Sequence, residues 1–320
     1  MSRVAATDLV TGAFGYTGSR IAERLLDRDR RVVTLTRRPV AAHPLAGRVS
    51  VAPYDFSADA LARTMNGVET LYVTYWMRFP RGAATWDELV ANVARLARAA
   101  TSAGVRRIVY ISVSNAAHDA PTAYFRAKAA AEDAVRSAAA DARSTSYAIV
   151  RPTLLYGPDD ILINNMAWTL RRLPVFGIPG DGRYRVQPVH VDDVADLALQ
   201  LAARDDAVET DAAGPETLTF DEVVATVRAG VGSRAMVVHL PATFVLATAR
   251  AIGLLVRDVV LTGDEIRELT SSLLVSKHPS TTPTRFTDWV TEHASEMGRR
   301  YSSELARNFT FERSSGAEGG

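Results

Sequence analysis

Three glycines spaced three residues apart near the start of the chain constrain its fold more than any other feature. The segment Thr11-Gly-Ala-Phe-Gly-Tyr-Thr-Gly18 follows a predicted strand and precedes an amphipathic pattern that predicts a helix. Gly12 permits a tight turn, Gly15 lets the backbone approach a ligand, and Gly18 lets helix and sheet pack closely. Because N–H groups at a helix start bind phosphate, the segment predicts a dinucleotide site. An ordinary strand-to-helix turn could carry the same glycines.

Short β-branched runs alternate with longer helical patterns through the first half of the chain. This alternation is typical of βαβ units, so we predict an α/β fold with a doubly wound parallel Rossmann sheet and a smaller C-terminal substrate lobe. Glycine and proline pairs become frequent after Arg151 and indicate where the lobe is inserted. We expect a Rossmann domain at 1–155 plus about 186–212, the lobe at about 156–185 and 213–312, and a disordered tail at 313–320.

The C-terminal third contains two helix starts and one long apolar stretch. Thr219–Glu222 and Thr262–Glu265 both fit the capping box, in which a hydroxyl and a carboxylate satisfy each other's backbone N–H groups. Residues 241–261 are apolar but are interrupted by Arg250, Arg257 and Asp258. We therefore predict a buried helix there and no membrane span.

Composition excludes several classes of function. With 37 Lys+Arg against 36 Asp+Glu, the net charge of +1 provides no overall field for nucleic acid or an anionic membrane. The absence of cysteine excludes disulfides, thiolate nucleophiles and cysteine metal sites, and we predict no metal site. We expect a cytoplasmic protein that acts on a small molecule.

Two arginines stand where the second strand ends, about 20 residues after the glycine turn. A carboxylate at this place would bind the ribose 2′-hydroxyl of NAD, but the sequence has Thr36-Arg37-Arg38. A guanidinium can bind a 2′-phosphate, so NADP(H) is favoured over NAD(H). Arginines that only aid solubility would give the same pattern. Asp55, after the third strand, fits an adenine contact and a helix cap equally well.

A tyrosine and a lysine are one helical turn apart in Tyr124-Phe-Arg-Ala-Lys128. The spacing places both side chains on one face, where the ammonium would favour phenolate and let Tyr124 exchange protons with a substrate. Chance could produce the pair, but Lys128 is one of only two lysines in the chain. Upstream, Ser112 or Ser114 could bind the reacting oxygen, or either could be a cap or turn residue.

Aromatic residues follow the fourth strand. Core packing explains Tyr72, whereas Tyr75, Trp76 and Phe79 could instead form the wall of a pocket for a flat or apolar substrate. Core packing is the alternative for each of these residues too.

Several blocks taken together resemble the extended and atypical short-chain dehydrogenases/reductases, a group broadly described as NAD-dependent epimerases/dehydratases. The matching blocks are Thr11 to Gly18, Ser112 to Ser114, Tyr124 to Lys128, Arg151-Pro-Thr-Leu-Leu-Tyr-Gly-Pro158 and Val189-His-Val-Asp-Asp193. The resemblance covers about the first 215 residues and implies an NAD(P)-binding Rossmann fold.

The resemblance also implies roles for individual residues. Tyr124 would be the acid/base, Lys128 would hold the nicotinamide ribose, and Ser114 would orient the substrate oxygen. Pro152 and Thr153 would lie near the nicotinamide amide. The expected coenzyme contacts are Gly12, Phe14, Gly15, Tyr16, Thr17, Gly18, Arg37, Arg38, Asp55, Lys128, Pro152 and Thr153, and the expected substrate contacts are Tyr75, Trp76, Asn164, Asn165, Trp168, Arg183 and Tyr184.

One departure separates the chain from sugar-nucleotide epimerases: Tyr124 follows Ser114 by only ten residues. The shorter interval resembles the atypical subgroup, which includes redox-sensing regulators and the NADPH-binding accessory subunit of respiratory complex I. Because such sensors commonly lack the Tyr-Lys pair, its presence favours an enzyme acting on a carbonyl or alcohol, by reduction, epimerisation or dehydration. The alternative is a non-catalytic NADP(H)-binding sensor or assembly protein. Related folds often pair through helices, so a homodimer is one option.

Overall fold

The computed structural model describes residues 5–36, 43–82, 84–142, 144–158 and 160–308. The strands are β1 (Thr7–Thr11), β2 (Arg31–Leu35), β3 (Ser50–Ala52), β4 (Val68–Val73), β5 (Arg107–Ile111), β6 (Ser146–Pro152), β7 (Leu154–Tyr156), β8 (Val175–Pro179), β9 (Arg185–Val186), β10 (Pro188–His190), β11 (Val208–Ala212), β12 (Leu218–Thr219) and β13 (Met236–Leu240).

The helices follow the same order of numbering. They are α1 (Tyr16–Leu26), α2 (Ala58–Met65), α3 (Trp86–Ser102), α4 (Ala123–Ala140), α5 (Leu162–Arg172), α6 (Val191–Ala202), α7 (Phe220–Gly230), α8 (Ala242–Val256), α9 (Gly263–Thr270), α10 (Phe286–His293) and α11 (Glu304–Asn308).

The chain divides into two compact units. One consists of Met1–Pro152 and Val191–Ala212, and the other of Thr153–His190 and Ala213–Gly320. The first unit contains a seven-stranded sheet in the order β11-β6-β5-β4-β1-β2-β3, with every neighbouring pair parallel. The predicted doubly wound Rossmann sheet is therefore confirmed, and its strand order reverses between β1 and β4, where ligands of such sheets bind.

Apolar stripes on the helices explain how they cover this sheet. In α3, Leu89, Val93, Leu96 and Ala100 recur at helical spacing and are buried, while the Thr85 hydroxyl caps the helix by accepting from the Glu88 N–H at 3.2 Å. All five residues of β5 are buried, as expected for a central strand with helices on both faces.

The second unit has its own core, formed around α5, α7 and α10 by side chains that include Tyr156, Phe220 and Phe286. Both predicted capping boxes are present, at the starts of α7 and α9. The strands of this unit form three two-stranded sheets, which pair β7 with β10, β9 with β12, and β8 with β13.

The prediction of a buried helix in residues 241–261 is wrong. Helix α8 does form there, but only Val245, Ala249 and Gly253 are buried along it. Phe244, Leu254 and Leu255 are exposed by 62%, 83% and 82%. The sequence could not reveal this because both faces of α8 are apolar, so periodicity does not distinguish the packed face from the exposed one. Among the described residues, no helix is both long and apolar enough to span a bilayer.

Candidate active site

The glycine turn forms as the sequence predicts. Gly12 has a φ of +75°, in the left-handed region that favours glycine, and the Gly15 N–H donates to the Gly12 carbonyl at 2.7 Å. A Cβ built on Gly18 would lie 2.2 Å from that same carbonyl oxygen. The turn therefore requires glycine at both Gly12 and Gly18.

Threonines hold the turn in place against the neighbouring strands. The Thr11 hydroxyl accepts from the N–H groups of Thr74 and Tyr75, both at 3.0 Å, and the Thr74 hydroxyl donates to the Thr11 carbonyl. The Ala13 N–H donates to the Thr34 hydroxyl at 3.1 Å. The ends of β1, β2 and β4 are thereby fixed together around the turn.

The start of α1 fits a diphosphate. Its N-cap is Gly15, which offers no side chain to occupy the helix end, and its first turn, with Tyr16, Thr17 and Gly18, contains no acidic residue. The positive end of the helix is therefore available to an anion. Phe14, within the turn, is buried with its ring 4.9 Å from that of His43.

Of the residues predicted to contact the 2′-phosphate and the adenine, the structure describes only Asp55. Arg37 and Arg38 lie outside the described residues. Asp55 is exposed and its carboxylate accepts from the Ser57 N–H at 2.8 Å, which lowers the pKa of this carboxyl. The bond forms a turn just before α2, whose N-cap is Ser57, so Asp55 is a turn residue that does not itself cap the helix.

Tyr124 and Lys128 share a face of α4, as their spacing predicts. The Lys128 side chain is only 3% exposed, and its Nζ donates to the Ile111 carbonyl at 2.9 Å, at the end of β5. Burial lowers the pKa of Lys128 to about 7. The pair thus lies at the carboxyl edge of the sheet, where β4 separates β5 from β1 and the glycine turn.

Two tryptophans pack against this pair. The Trp76 and Trp86 rings are stacked with centroids 6.0 Å apart, and both meet the Tyr124 ring edge-on, at 6.2 and 5.6 Å. Trp76 also lies over the Lys128 ammonium, 4.1 Å from nitrogen to ring centroid. Sequence analysis included Trp76 but missed Trp86, whose contact depends on the course of the loop between β4 and α3.

The structure distinguishes the two serines after β5. The Ser112 hydroxyl donates to Glu132 at 2.6 Å and is committed to that contact. Ser114 is fully buried, and its N–H donates to the Pro152 carbonyl at 2.9 Å, which ties it to the end of β6. Thr153, the next residue after Pro152, is also buried. The Ser112 hydroxyl is thus engaged within the protein, and a substrate contact for Ser114 stays a prediction.

Glu132 is a buried residue that sequence analysis missed. Its carboxylate accepts from Ser112 and, at 2.7 and 2.8 Å, from the Arg151 guanidinium, while Arg136 adds a bond at 2.8 Å. Arg151 also pairs with Glu209 on β11. Glu132 follows Lys128 by four residues, so the same spacing that relates Tyr124 to Lys128 could have indicated it.

Tyr75 lines a cavity of about 500 Å³ in the first unit. The Tyr75 hydroxyl is bonded to the Tyr54 hydroxyl at 3.1 Å and to the Asn92 amide at 3.2 Å. Arg95 donates to the Asn92 oxygen at 2.6 Å. The Tyr75 hydroxyl is therefore bonded to Tyr54 and Asn92, whereas Trp76 packs against Tyr124. Both residues were predicted to contact substrate.

The other predicted substrate residues lie in the second unit, where several bind its own C-terminal segment. The Asn164 amide donates to the Ser302 hydroxyl at 3.0 Å, Asn165 donates to the Ser302 carbonyl at 2.9 Å, and the Trp168 ring is 5.3 Å from that of Tyr301. Arg183 is exposed, and Tyr184 stacks on Phe220 at 5.3 Å. These contacts stabilise the second unit itself.

The sequence matches the model of a known protein family. The NAD dependent epimerase/dehydratase family matches residues 9–213, which is more than half of the chain.

The chain belongs to this family. Its membership supports a pyridine nucleotide as the class of coenzyme.

Two curated relatives illustrate the range of the family. The chain is 29% identical over 185 residues to the mitochondrial NADH dehydrogenase [ubiquinone] 1 alpha subcomplex subunit 9 of Arabidopsis thaliana, which covers 54% of this chain and 44% of that protein. It is 30% identical over 190 residues to a ceramide reductase of Caulobacter vibrioides, covering 58% of this chain and 57% of the relative. The chain thus spans about half the length of each.

Among solved structures, the chain is similar to the NADPH-dependent quinone oxidoreductase QOR2 of Escherichia coli, complexed with NADPH. The TM-score is 0.69 at 19% identity, over 90% of this chain and 98% of that one. At this identity the likeness concerns the fold alone.

Proposed function

We propose that the protein is an NADP(H)-dependent oxidoreductase that acts on a carbonyl or alcohol of a small, apolar molecule. The observation that carries this proposal is the placement of Tyr124 and buried Lys128 on one face of α4, at the carboxyl edge of the sheet. Lys128 is bonded to the end of β5, and only β4 separates β5 from β1, the strand that leads into the glycine turn. A dinucleotide bound at the turn can therefore extend across β4 toward the pair.

The residues of this chain would divide the work of proton transfer. Tyr124 exchanges a proton with the substrate oxygen, Lys128 stabilises the phenolate and binds a ribose hydroxyl, and Ser114 orients the oxygen. A bound nicotinamide supplies or accepts the hydride. Epimerisation or dehydration would use the same side chains.

The choice of NADP(H) is supported by Arg37 and Arg38 and by the lack of a carboxylate directly after β2. The apolar substrate is supported by the two tryptophan rings that pack around Tyr124. A ceramide reductase among the relatives is consistent with an apolar substrate that carries a carbonyl.

Turnover measured with and without the phenol tests the proposal. The purified chain is loaded with NADPH and offered a panel of long-chain and aromatic ketones, with absorbance at the nicotinamide band as the readout. Tyr124→Phe should lower turnover by about 10²–10⁴-fold, the usual contribution of a general acid, and leave NADPH affinity within about twofold. Tyr147→Phe, at an exposed contact with Glu209, is the matched control and should keep full activity. Undiminished activity in Tyr124→Phe would refute the assigned chemistry.

A second candidate is a nucleotide-binding protein that performs no reaction. Two observations favour it: the similarity to a respiratory-complex subunit, and the Trp76 ring that lies over the Lys128 ammonium. Calorimetric binding of NADPH without Tyr124-dependent turnover of any carbonyl in the panel would support this candidate over the enzyme.

A further inference from the structure

Helix α8 presents an apolar face to solvent. Its opposite face packs against β8 of the same unit. Val245 of α8 lies close to Gly177 of β8, because a Cβ built on Gly177 would be 3.7 Å from the Val245 side chain. Three of the seven large apolar side chains that are exposed in the described part of the chain belong to this one helix: Phe244, Leu254 and Leu255. A cluster of this kind marks an interaction surface more often than single exposed residues do.

The exposed residues form one continuous stripe. At about 100° per residue, the buried residues Val245, Ala249 and Gly253 centre on one side of α8. Phe244, Ala247, Ala251, Leu254 and Leu255 all fall within an arc of about 100° on the other side, and no charged residue interrupts them. We refer to these five residues as the α8 stripe.

The charges beside the α8 stripe are positive. Between residues 241 and 257 the sequence contains only two charged side chains, Arg250 and Arg257, and both are exposed. The adjacent carboxylate, Asp258, is buried and accepts from the Tyr301 hydroxyl and the Glu304 N–H. Its charge is therefore directed into the protein.

The acids at the start of neighbouring α9 are also engaged. Glu265 folds back onto Thr262 in the capping box, and Asp264 pairs with Arg267. Asp258, Asp264 and Glu265 are thus each engaged in contacts within the second unit.

These charges distinguish two occupants of the stripe. A second copy that paired α8 with α8 about a twofold axis would bring the two Arg250 side chains together, because Arg250 is one residue from the middle of the helix. Two like charges that are brought close together repel each other and destabilise such a pair. An anionic bilayer instead accepts the apolar residues among its acyl chains and the guanidinium groups among its phosphates.

We propose that α8 docks in the plane of an anionic membrane surface, with the α8 stripe inserted below the headgroups and with Arg250 and Arg257 at phosphate level. The docking does not depend on the reaction proposed above, because α8 lies in the second unit and the Tyr-Lys pair in the first.

Vesicle co-sedimentation of the full chain tests this proposal. The probes are vesicles of phosphatidylcholine alone and of phosphatidylcholine with 30% phosphatidylglycerol. We expect binding to the anionic vesicles and at least about tenfold weaker binding by Leu254→Glu and by Leu255→Glu. Val51→Glu, at a half-exposed apolar residue in the other unit, is the matched control and should bind as the parent chain does. Arg250→Gln should weaken binding to the anionic vesicles by about fivefold.

A second measurement reports on the depth of the helix. In Phe244→Trp, anionic vesicles should shift the added tryptophan emission to shorter wavelength, and brominated lipids should quench it. The absence of vesicle binding, or equal binding by Leu254→Glu and the parent, would overturn the proposal. A lipid-independent dimer that Leu254→Glu dissociates in sedimentation equilibrium would overturn it in favour of a second copy.

Discussion

The ammonium nitrogen of Lys128 lies 4.1 Å from the centroid of the Trp76 ring, inside the protein. The contact with the aromatic face and the bond to the Ile111 carbonyl only partly replace the water that burial removes. Burial therefore lowers the pKa of Lys128 to about 7, from 10.5 for an ordinary lysine. Burial of Lys128 therefore costs stability while its side chain is protonated.

We predict that Lys128→Met stabilises the protein. Between about pH 7 and 10.5 the unfolded chain binds one proton more than the folded chain at this residue, so stability rises with pH across that window. Below about pH 7 both states are protonated and the folded state bears the full cost of a buried charge. Lys128→Met should therefore increase the free energy of unfolding by about 2–3 kcal/mol at pH 6.5, and by less at pH 9.5.

Urea unfolding followed by tryptophan fluorescence at both pH values checks this prediction. Lys277→Met, at the only other lysine, is the matched control because Lys277 is exposed, and it should change little at either pH. A gain in Lys128→Met that is the same at both pH values would contradict the role assigned to the buried charge.

Local spacing explains why much of the site could be predicted. The turn at Gly12 and Gly18 and the pair Tyr124 and Lys128 are set by residues close together in the chain, so their geometry follows from one turn and one helix. The capping box at Thr219 is equally local and forms as predicted. The parallel direction of the strands follows from the alternation of patterns, and the seven-stranded sheet confirms it.

Contacts between distant segments could not be predicted. Glu132 follows Lys128 at helical spacing, but its partner Arg151 lies on β6, and Arg151 also pairs with Glu209 on β11. Only the folded sheet brings these three residues together. Trp86 reaches Tyr124 from a different helix. The apolar sequence around Leu254 predicts a buried helix, but Leu254 is exposed. A helix that is apolar on both faces can pack one face against the protein and leave the other in solvent.

We predict that Gly18→Ala weakens coenzyme binding by at least about tenfold. The added Cβ would lie 2.2 Å from the Gly12 carbonyl oxygen and 2.9 Å from the Thr74 hydroxyl, so the turn or α1 must move. Calorimetry with NADPH measures the effect. Gly263→Ala is the control and should bind as the parent does, because a Cβ at this first position of α9 would lie 3.9 Å from its nearest neighbour outside the helix, the Leu246 side chain. Unchanged affinity in Gly18→Ala would exclude this turn as the diphosphate site.

We predict that the double variant Arg37→Ala/Arg38→Ala loses NADPH affinity by about 10–100-fold and changes NADH affinity by less than about threefold. A guanidinium contributes a charge-assisted bond to the 2′-phosphate, which NADH lacks. Arg48→Ala, at an exposed arginine in the same unit, serves as the control for a general loss of positive charge. Equal losses for the two coenzymes would contradict the preference for NADP(H).

We predict that Glu132→Gln lowers the free energy of unfolding by about 2–4 kcal/mol. Glu132 is 2% exposed and accepts from Ser112, Arg151 and Arg136, so removal of its charge leaves buried donors without a full partner. Asp133→Asn tests the adjacent acid, which is about half exposed and also pairs with Arg136, and it should cost less than about 0.5 kcal/mol. Chemical denaturation of both variants measures the difference. Equal effects would show that burial does not set the strength of this network, because the two residues share helix α4 and the same arginine.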